Sequence, residues 1–212
     1  MARPARKLDL RRARGDETRL QILAAARDAL ADHGAAGTTT RAIADRAGVQ
    51  LSLVHYHFGG KQQLLAAVLD LENERLLERQ RRLFAGPEPL AEKWRTACAY
   101  LREDLGSGYV RILWELWAAG LSDTELAGRW RAAIAGWRDL LGRVAAEWTA
   151  EHEIDLPIAP RALATLVANA FQGAETEILA GFTEEEAPHY EALESVGAMI
   201  EWAERRNDDR NR

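Results

Sequence analysis

The sequence predicts an all-α chain, with a small N-terminal group of three helices followed by a larger helical body. Three observations carry that expectation. Apolar residues recur at steps of three and four through most of the chain, the spacing that lines one face of an α-helix. No stretch reads convincingly as a strand, and no internal repeat is present. Helix punctuation accompanies the periodic segments, with hydroxyl or acidic caps before them and Gly or Pro after them. At 212 residues the chain is long enough to bury a substantial core in a head and a body.

Residues 1–14, MARPARKLDLRRAR, carry six basic side chains and one acid without a usable apolar period. They are expected to form a disordered arm, either settling on phosphates or in a minor groove, or serving only as a solubilising tail. A first helix is expected from about Asp16, as N-cap, to His33, with Ile22, Ala26 and Leu30 on one face and Gly34 as the stop. The stretch 38–61, TTTRAIADRAGVQLSLVHYHFGGK, then reads as two short helices and the start of a third. Thr38, Thr39 and Thr40 offer capping hydroxyls, and Ile43, Ala44 and Ala47 give the inner face of the first helix. Gly48 supplies the positive φ that a tight helix-to-helix reversal needs. If Val49, Val54 and Phe58 pack inwards, Leu51, Ser52, His55 and Tyr56 point outwards on a face free of Asp and Glu. Those are the elements of a helix-turn-helix able to approach a phosphate-lined groove. The head is placed at 15–61.

Lys61 opens a long helix to about Phe84, with Leu65, Leu69, Leu76 and Leu83 as its buried stripe and Glu78–Arg82 as an exposed pair. Gly86-Pro87-Glu88-Pro89 ends it. The body, 62–206, continues with a helix bearing Leu90, Trp94, Leu101 and Leu105. The segment YVRILWELWAA (109–119) is apolar almost all round, which argues for a central buried helix. Ser122 and Glu125 fit a capping box. The helix that follows carries Ala127, Trp130, Ile134, Trp137, Leu141, Val144 and Trp148 as a continuous seam. Pro160 suits a first helical turn, and the helix after it bears Leu163, Val167, Ala170, Ala174 and Ile178. Thr183 and Glu186 read as a second capping box, opening a last helix with Leu193, Val196 and Ile200. A polar tail, 207–212, closes the chain.

The formal charge of −5 conceals an asymmetry. Residues 1–61 hold 11 of the 28 basic and 6 of the 33 acidic side chains, a net of +5, which leaves −10 for the remainder. A basic head and an acidic body suit a chain that meets a polyanion at one end only, although ordinary solvated surface would read the same way. Charges interrupt every apolar run before it reaches the ~18–20 residues of a membrane span, so no membrane partner is expected and the cytoplasm is the simplest location. One cysteine excludes an internal disulfide framework. Cys98 lies on an apolar helix face and reads as a buried, inert thiol. His55 and His57 stand two apart on a helix and face different ways, so no metal site is expected; nothing calls for a cofactor.

The run T-T-x-R-x-I-A-x-x-A-G-V over Thr38–Val49, followed by V-H-Y-H-F-G-x-K-x-x-L over Val54–Leu64, resembles the DNA-binding domain of the tetracycline-repressor (TetR) family. The resemblance covers the first quarter to third of the chain. It implies a ligand-responsive regulator, usually a repressor, that binds a palindromic double-stranded operator as a homodimer. It also implies base contacts from Leu51, Ser52 and His55, and phosphate contacts from Thr39, Tyr56, His57 and Lys61, with Thr38 and Thr40 as near alternatives. The donor chemistry of the second group agrees with that assignment, while Tyr56 and His57 have a second reading as packing residues. Gln50 stands where the family often has serine, Leu53 and His55 where Thr and Tyr are common, and Ser52 where Gly is common, so no particular operator can be inferred.

For the body, the resemblance implies a cavity for a small-molecule effector. Trp94, Trp114, Trp117, Trp130 and Trp137 offer themselves as its walls or as plain core. Glu115, between two of them, would face a cationic ligand, or equally solvent or Arg111. The last two helices are amphipathic and suit a two-fold four-helix bundle. Their stripes Leu163, Val167, Ala170, Ala174 and Ile178, and Leu193, Val196 and Ile200, are the expected dimer surface, or else internal core. Rival readings are an all-helical enzyme, for which no nucleophile motif or phosphate loop is present, and a non-specific architectural DNA binder.

Overall fold

The computed structural model describes residues 3–210, with side chains from Ala13 to Arg206. The polar tail and most of the expected arm therefore lie outside the described side chains. Among the described residues the chain is all-helical. The helices are α1 (Arg3–Gly37), α2 (Thr40–Ala47), α3 (Leu51–Phe58), α4 (Lys61–Phe84), α5 (Leu90–Gly106), α6 (Tyr109–Gly120), α7 (Thr124–Glu151), α8 (Pro160–Ala180) and α9 (His189–Arg210). No helix among the described residues is long and apolar enough to cross a membrane.

The first helix begins well before Asp16, which sits inside it and caps nothing. Ala, Arg, Lys and Leu are good helix formers and Pro4 is tolerated in a first turn, so the segment has no internal reason to stop. Gly34 does interrupt α1 where expected, with φ 67° and ψ 175°, a conformation that only glycine adopts without strain.

The backbone divides into two compact units. One comprises Met1–Glu72 with Ile112–Trp130; the other comprises Asn73–Arg111 with Arg131–Arg212. In the first, Ile22, Leu30, Ile43, Val54, Leu64 and Val68 share one core with Ile112, Leu116 and Leu126. The segment 109–119 is thus buried on one face, not all round: Val110, Ile112 and Leu116 are inside, while Arg111, Trp117 and Ala118 are exposed. The α7 cap is Asp123, not Ser122; its carboxylate accepts the N–H groups of Glu125 (2.9 Å) and Leu126 (3.0 Å).

In the second unit α5 packs along α9. The indole N–H of Trp94 donates to the Leu193 carbonyl (2.7 Å), and Arg95–Glu201 and Arg102–Glu194 pair across the same two helices. The expected α7 seam is only partly inside; the buried positions are Leu126, Ala133, Leu140, Leu141 and Trp148. The box at Thr183 and Glu186 forms, since both the N–H and the hydroxyl of Thr183 donate to the Glu186 carboxylate (2.9 and 3.0 Å). It closes an isolated turn and does not open α9, which begins at His189. Pro188 intervenes, and proline biases the residue before it away from helical geometry.

Candidate nucleic-acid interface

Three short chain segments build the face around α3. Thr39 caps α2, its side-chain oxygen accepting the Ala42 N–H at 3.1 Å. Ile43 and Ala44 anchor α2 in the core. Gly48, at φ 67° and ψ 29°, turns the chain, and its N–H satisfies carbonyls at the end of α2. The α3 helix is then fastened from inside by Val54 and Phe58, and the Arg19 guanidinium lies over the Phe58 ring at 5.3 Å. Gln50 makes no side-chain cap for α3.

With that inner edge locked, Ser52, Leu53, His55 and Tyr56 are exposed, Tyr56 at 81 %. Leu51 is half-buried against the core and presents only part of its side chain. The His55 Nδ1 lies 3.2 Å from the Gly59 carbonyl. A carbonyl only accepts, so the proton belongs on Nδ1, and Nε2 is left as an acceptor in the neutral ring. Thr39 is exposed and keeps its hydroxyl proton for an outside acceptor, while Thr40 and Lys61 are partly exposed at the starts of α2 and α4. The face carries donors, one heteroaromatic acceptor and no carboxylate on α3.

Two expected phosphate contacts fare differently. Thr38 is 1 % exposed, and its hydroxyl lies within hydrogen-bond distance of the Gly34 (2.7 Å) and Ala29 (3.1 Å) carbonyls. It ties the end of α1 and has no donor left for a phosphate. His57 is half-buried, with its ring edge-on to Tyr56 and near Gly15, so it resembles a packing residue more than a reaching one.

The six residues expected around an effector are divided between the two units. Trp114, Trp117 and Trp130 cluster in the first unit, with ring centroids 5.3 and 5.7 Å apart. Trp94 and Trp137 belong to the second, each against Phe171. Glu115 does not await a cation. Its carboxylate accepts the Ala35 N–H at 3.1 Å and closes on Gly34, where an added Cβ would meet both oxygens at 3.0 Å. The 80-residue separation leaves no local signal by which a sequence reading could have found this contact.

The expected dimer stripe also needs correction. Ala174, Leu193 and Ile200 are buried within the chain, and of the eight residues only Ala170 is exposed. Among the described residues, the large apolar side chains that α8 and α9 leave uncovered are Leu166 (59 %), Met199 (63 %) and Trp202 (56 %). Leu166, Ala170 and Gly173 fall at steps of four and three, a stripe present in the sequence but overshadowed by the heavier one beside it. Among the described residues no group of His, Cys, Asp and Glu could hold a metal ion.

An exposed, acid-free second helix behind a glycine turn defines a helix-turn-helix DNA-binding protein. The family described as "Bacterial regulatory proteins, tetR family" matches residues 22–68. A transcriptional repressor of Mycobacterium tuberculosis, Rv3405c, is 49 % identical over 55 residues, which cover 26 % of this chain and 29 % of that protein. The chain therefore matches under a third of that relative's length. A solved TetR-family transcriptional regulator from Pectobacterium atrosepticum superposes with a TM-score of 0.65 at 26 % identity, over 90 % of this chain and 94 % of the other. FadR from Bacillus subtilis, solved in complex with stearoyl-CoA, gives a TM-score of 0.70 at 18 % identity over 85 % and 96 % of the two chains. Residues 22–68 thus carry the helix-turn-helix of the TetR family, and the chain as a whole is similar in fold to a solved regulator of that family.

Proposed function

We propose that the protein is a homodimeric transcriptional repressor that grips a two-fold-symmetric operator and lets go when a small molecule occupies its body. One observation carries the reading. Ser52, His55 and Tyr56 stand exposed on a helix whose inner edge is locked by Val54 and Phe58, with no acidic residue among them. In this reading Ser52, His55 and the open part of Leu51 meet base edges, and Thr39, Thr40, Tyr56 and Lys61 meet phosphates. One such helix reads too few base pairs to find a single site, and a symmetric pair doubles the readout. Leu166, Ala170, Met199 and Trp202 supply an uncovered apolar stripe for pairing α8 and α9 with a second copy. The repressor Rv3405c, similar to this chain over the head, supports repression as the output, and FadR, solved in complex with stearoyl-CoA, supports control by a bound ligand.

The test is fluorescence anisotropy with the intergenic DNA beside the gene, against random duplex, over a salt series. Selective binding should exceed random binding by roughly 10³-fold or more and weaken steeply with salt. Equal affinity for both duplexes would make the protein an architectural binder instead.

A further inference from the structure

The second unit holds a pocket of about 80 Å³ whose lining residues are all Ala, Val, Leu, Ile, Phe or Trp. Trp94 and Trp148 are its largest walls, with Leu163 and Val167 from α8 and Val196 and Ile200 from α9. Both indoles are apolar toward the pocket in effect as well as in name. The Trp94 N–H is spent on the Leu193 carbonyl, and the Trp148 N–H on the Glu204 carboxylate at 2.8 Å. No lining side chain therefore offers a free donor, acceptor or charge to an occupant. A lining of that kind disfavours ions and polar groups, for which desolvation would go uncompensated, and favours an apolar guest. Its size falls below the roughly 150 Å³ of an apolar cavity that admits benzene, so a guest of one ring needs a small outward movement of the walls. The walls able to give way are α8 and α9, because Val167 and Val196 are half-buried. Those same helices carry the uncovered Leu166 and Met199 one and three positions away.

We propose that this pocket binds a small, neutral, wholly apolar molecule, of about one ring or a short alkyl chain, and that its occupation shifts α8 and α9 and loosens the grip on DNA. The proposal rests on the reading of the protein as an effector-released dimer and narrows the effector's chemistry.

Toluene is the probe, with benzyltrimethylammonium as the charged counterpart of similar ring size. In the free full-length protein, toluene at tenfold excess over its dissociation constant should raise Tm by roughly 3–6 °C. Val167→Phe fills the pocket and should abolish the shift; Val196→Ala enlarges it and should extend binding to propylbenzene. In a parallel arm, saturating toluene should weaken operator binding by roughly fivefold or more. The pocket assignment is overturned if toluene gives no shift, if the shift survives Val167→Phe while Val196→Ala changes no guest preference, or if the ammonium binds as well as toluene. Unchanged operator affinity at saturating toluene overturns the coupling to DNA. A protein that binds toluene in this pocket but no DNA of any sequence would support the pocket and sink the repressor reading, so the two failures are separable.

Discussion

Two side chains hold the junction between α1 and α2, and neither touches solvent freely. The Thr38 hydroxyl serves the Ala29 and Gly34 carbonyls, and the Glu115 carboxylate serves the Ala35 N–H. Ala35 is 7 % exposed, so an N–H left there without an acceptor costs about 1–3 kcal/mol. Glu115→Ala should therefore lower stability by that order in urea unfolding and weaken DNA binding through a loosened head. Glu115→Gln should recover most of both, because its amide oxygen accepts the same N–H; equal losses in the two variants would reject the role. Cys98 gives a simpler check. It is fully buried, and burial pushes its thiol up to about 11, with Glu194 nearby raising it further and Arg102 opposing. The raised value keeps the sulfur protonated below that pH, and the nucleophile is the thiolate. Native protein at pH 8 should leave Ellman's reagent almost uncoloured, with one thiol appearing on unfolding. Prompt reaction of the folded chain would show an open site.

At the scale of elements, α3 is less secured at its start than α2, which Thr39 caps, since Gln50 lacks the short oxygen that reaches the second or third N–H of a helix. Gln50 already has the extended backbone of a cap, φ −70° and ψ 141°. Gln50→Ser should thus add about 0.5–1 kcal/mol of stability, read as a higher urea midpoint; no change would mean that α3 is limited by packing alone. The α2–Gly48–α3 unit was legible in the sequence because every feature that forms it is local: a hydroxyl cap, a glycine in the left-handed region, apolar residues at three- and four-residue steps. The faces of α6, α7 and α8 were less so. A helix rich in Trp, Ala and Leu has more than one apolar stripe, and which stripe turns inwards depends on a partner far away in the chain. So Ala174, Leu193 and Ile200 are buried, whereas Leu166, Met199 and Trp202 are not. Likewise Thr38 and Thr39 look alike in sequence, yet one is a buried tie and the other a cap with a free proton.

For the whole molecule, the question is whether two copies must act together. The acidic remainder of the chain, net −10 outside residues 1–61, adds nothing to polyanion binding, so in the proposed dimer affinity comes from two basic heads held at a fixed spacing. Burial of Leu166, Ala170, Met199 and Trp202 against a second copy would hold them so, and a carboxylate inside such an interface is strongly unfavourable when unpaired. Leu166→Glu with Met199→Glu should shift sedimentation from dimer to monomer at micromolar concentration. Both positions are more than half exposed in the single chain, so helicity by circular dichroism should stay unchanged. Operator affinity should then fall by at least about 10²-fold and lose the preference for a symmetric site over a half-site, as a lone reading helix cannot supply the roughly 10³-fold or larger selectivity of specific binders. Lys61→Ala offers the contrasting case, in which the dimer persists, affinity drops for all sequences alike, and the slope of log K against log salt shrinks by about 1. If the double glutamate variant remained a dimer that still preferred a symmetric operator, pairing would have to run through some other surface. The stripe on α8 and α9 would then need another occupant.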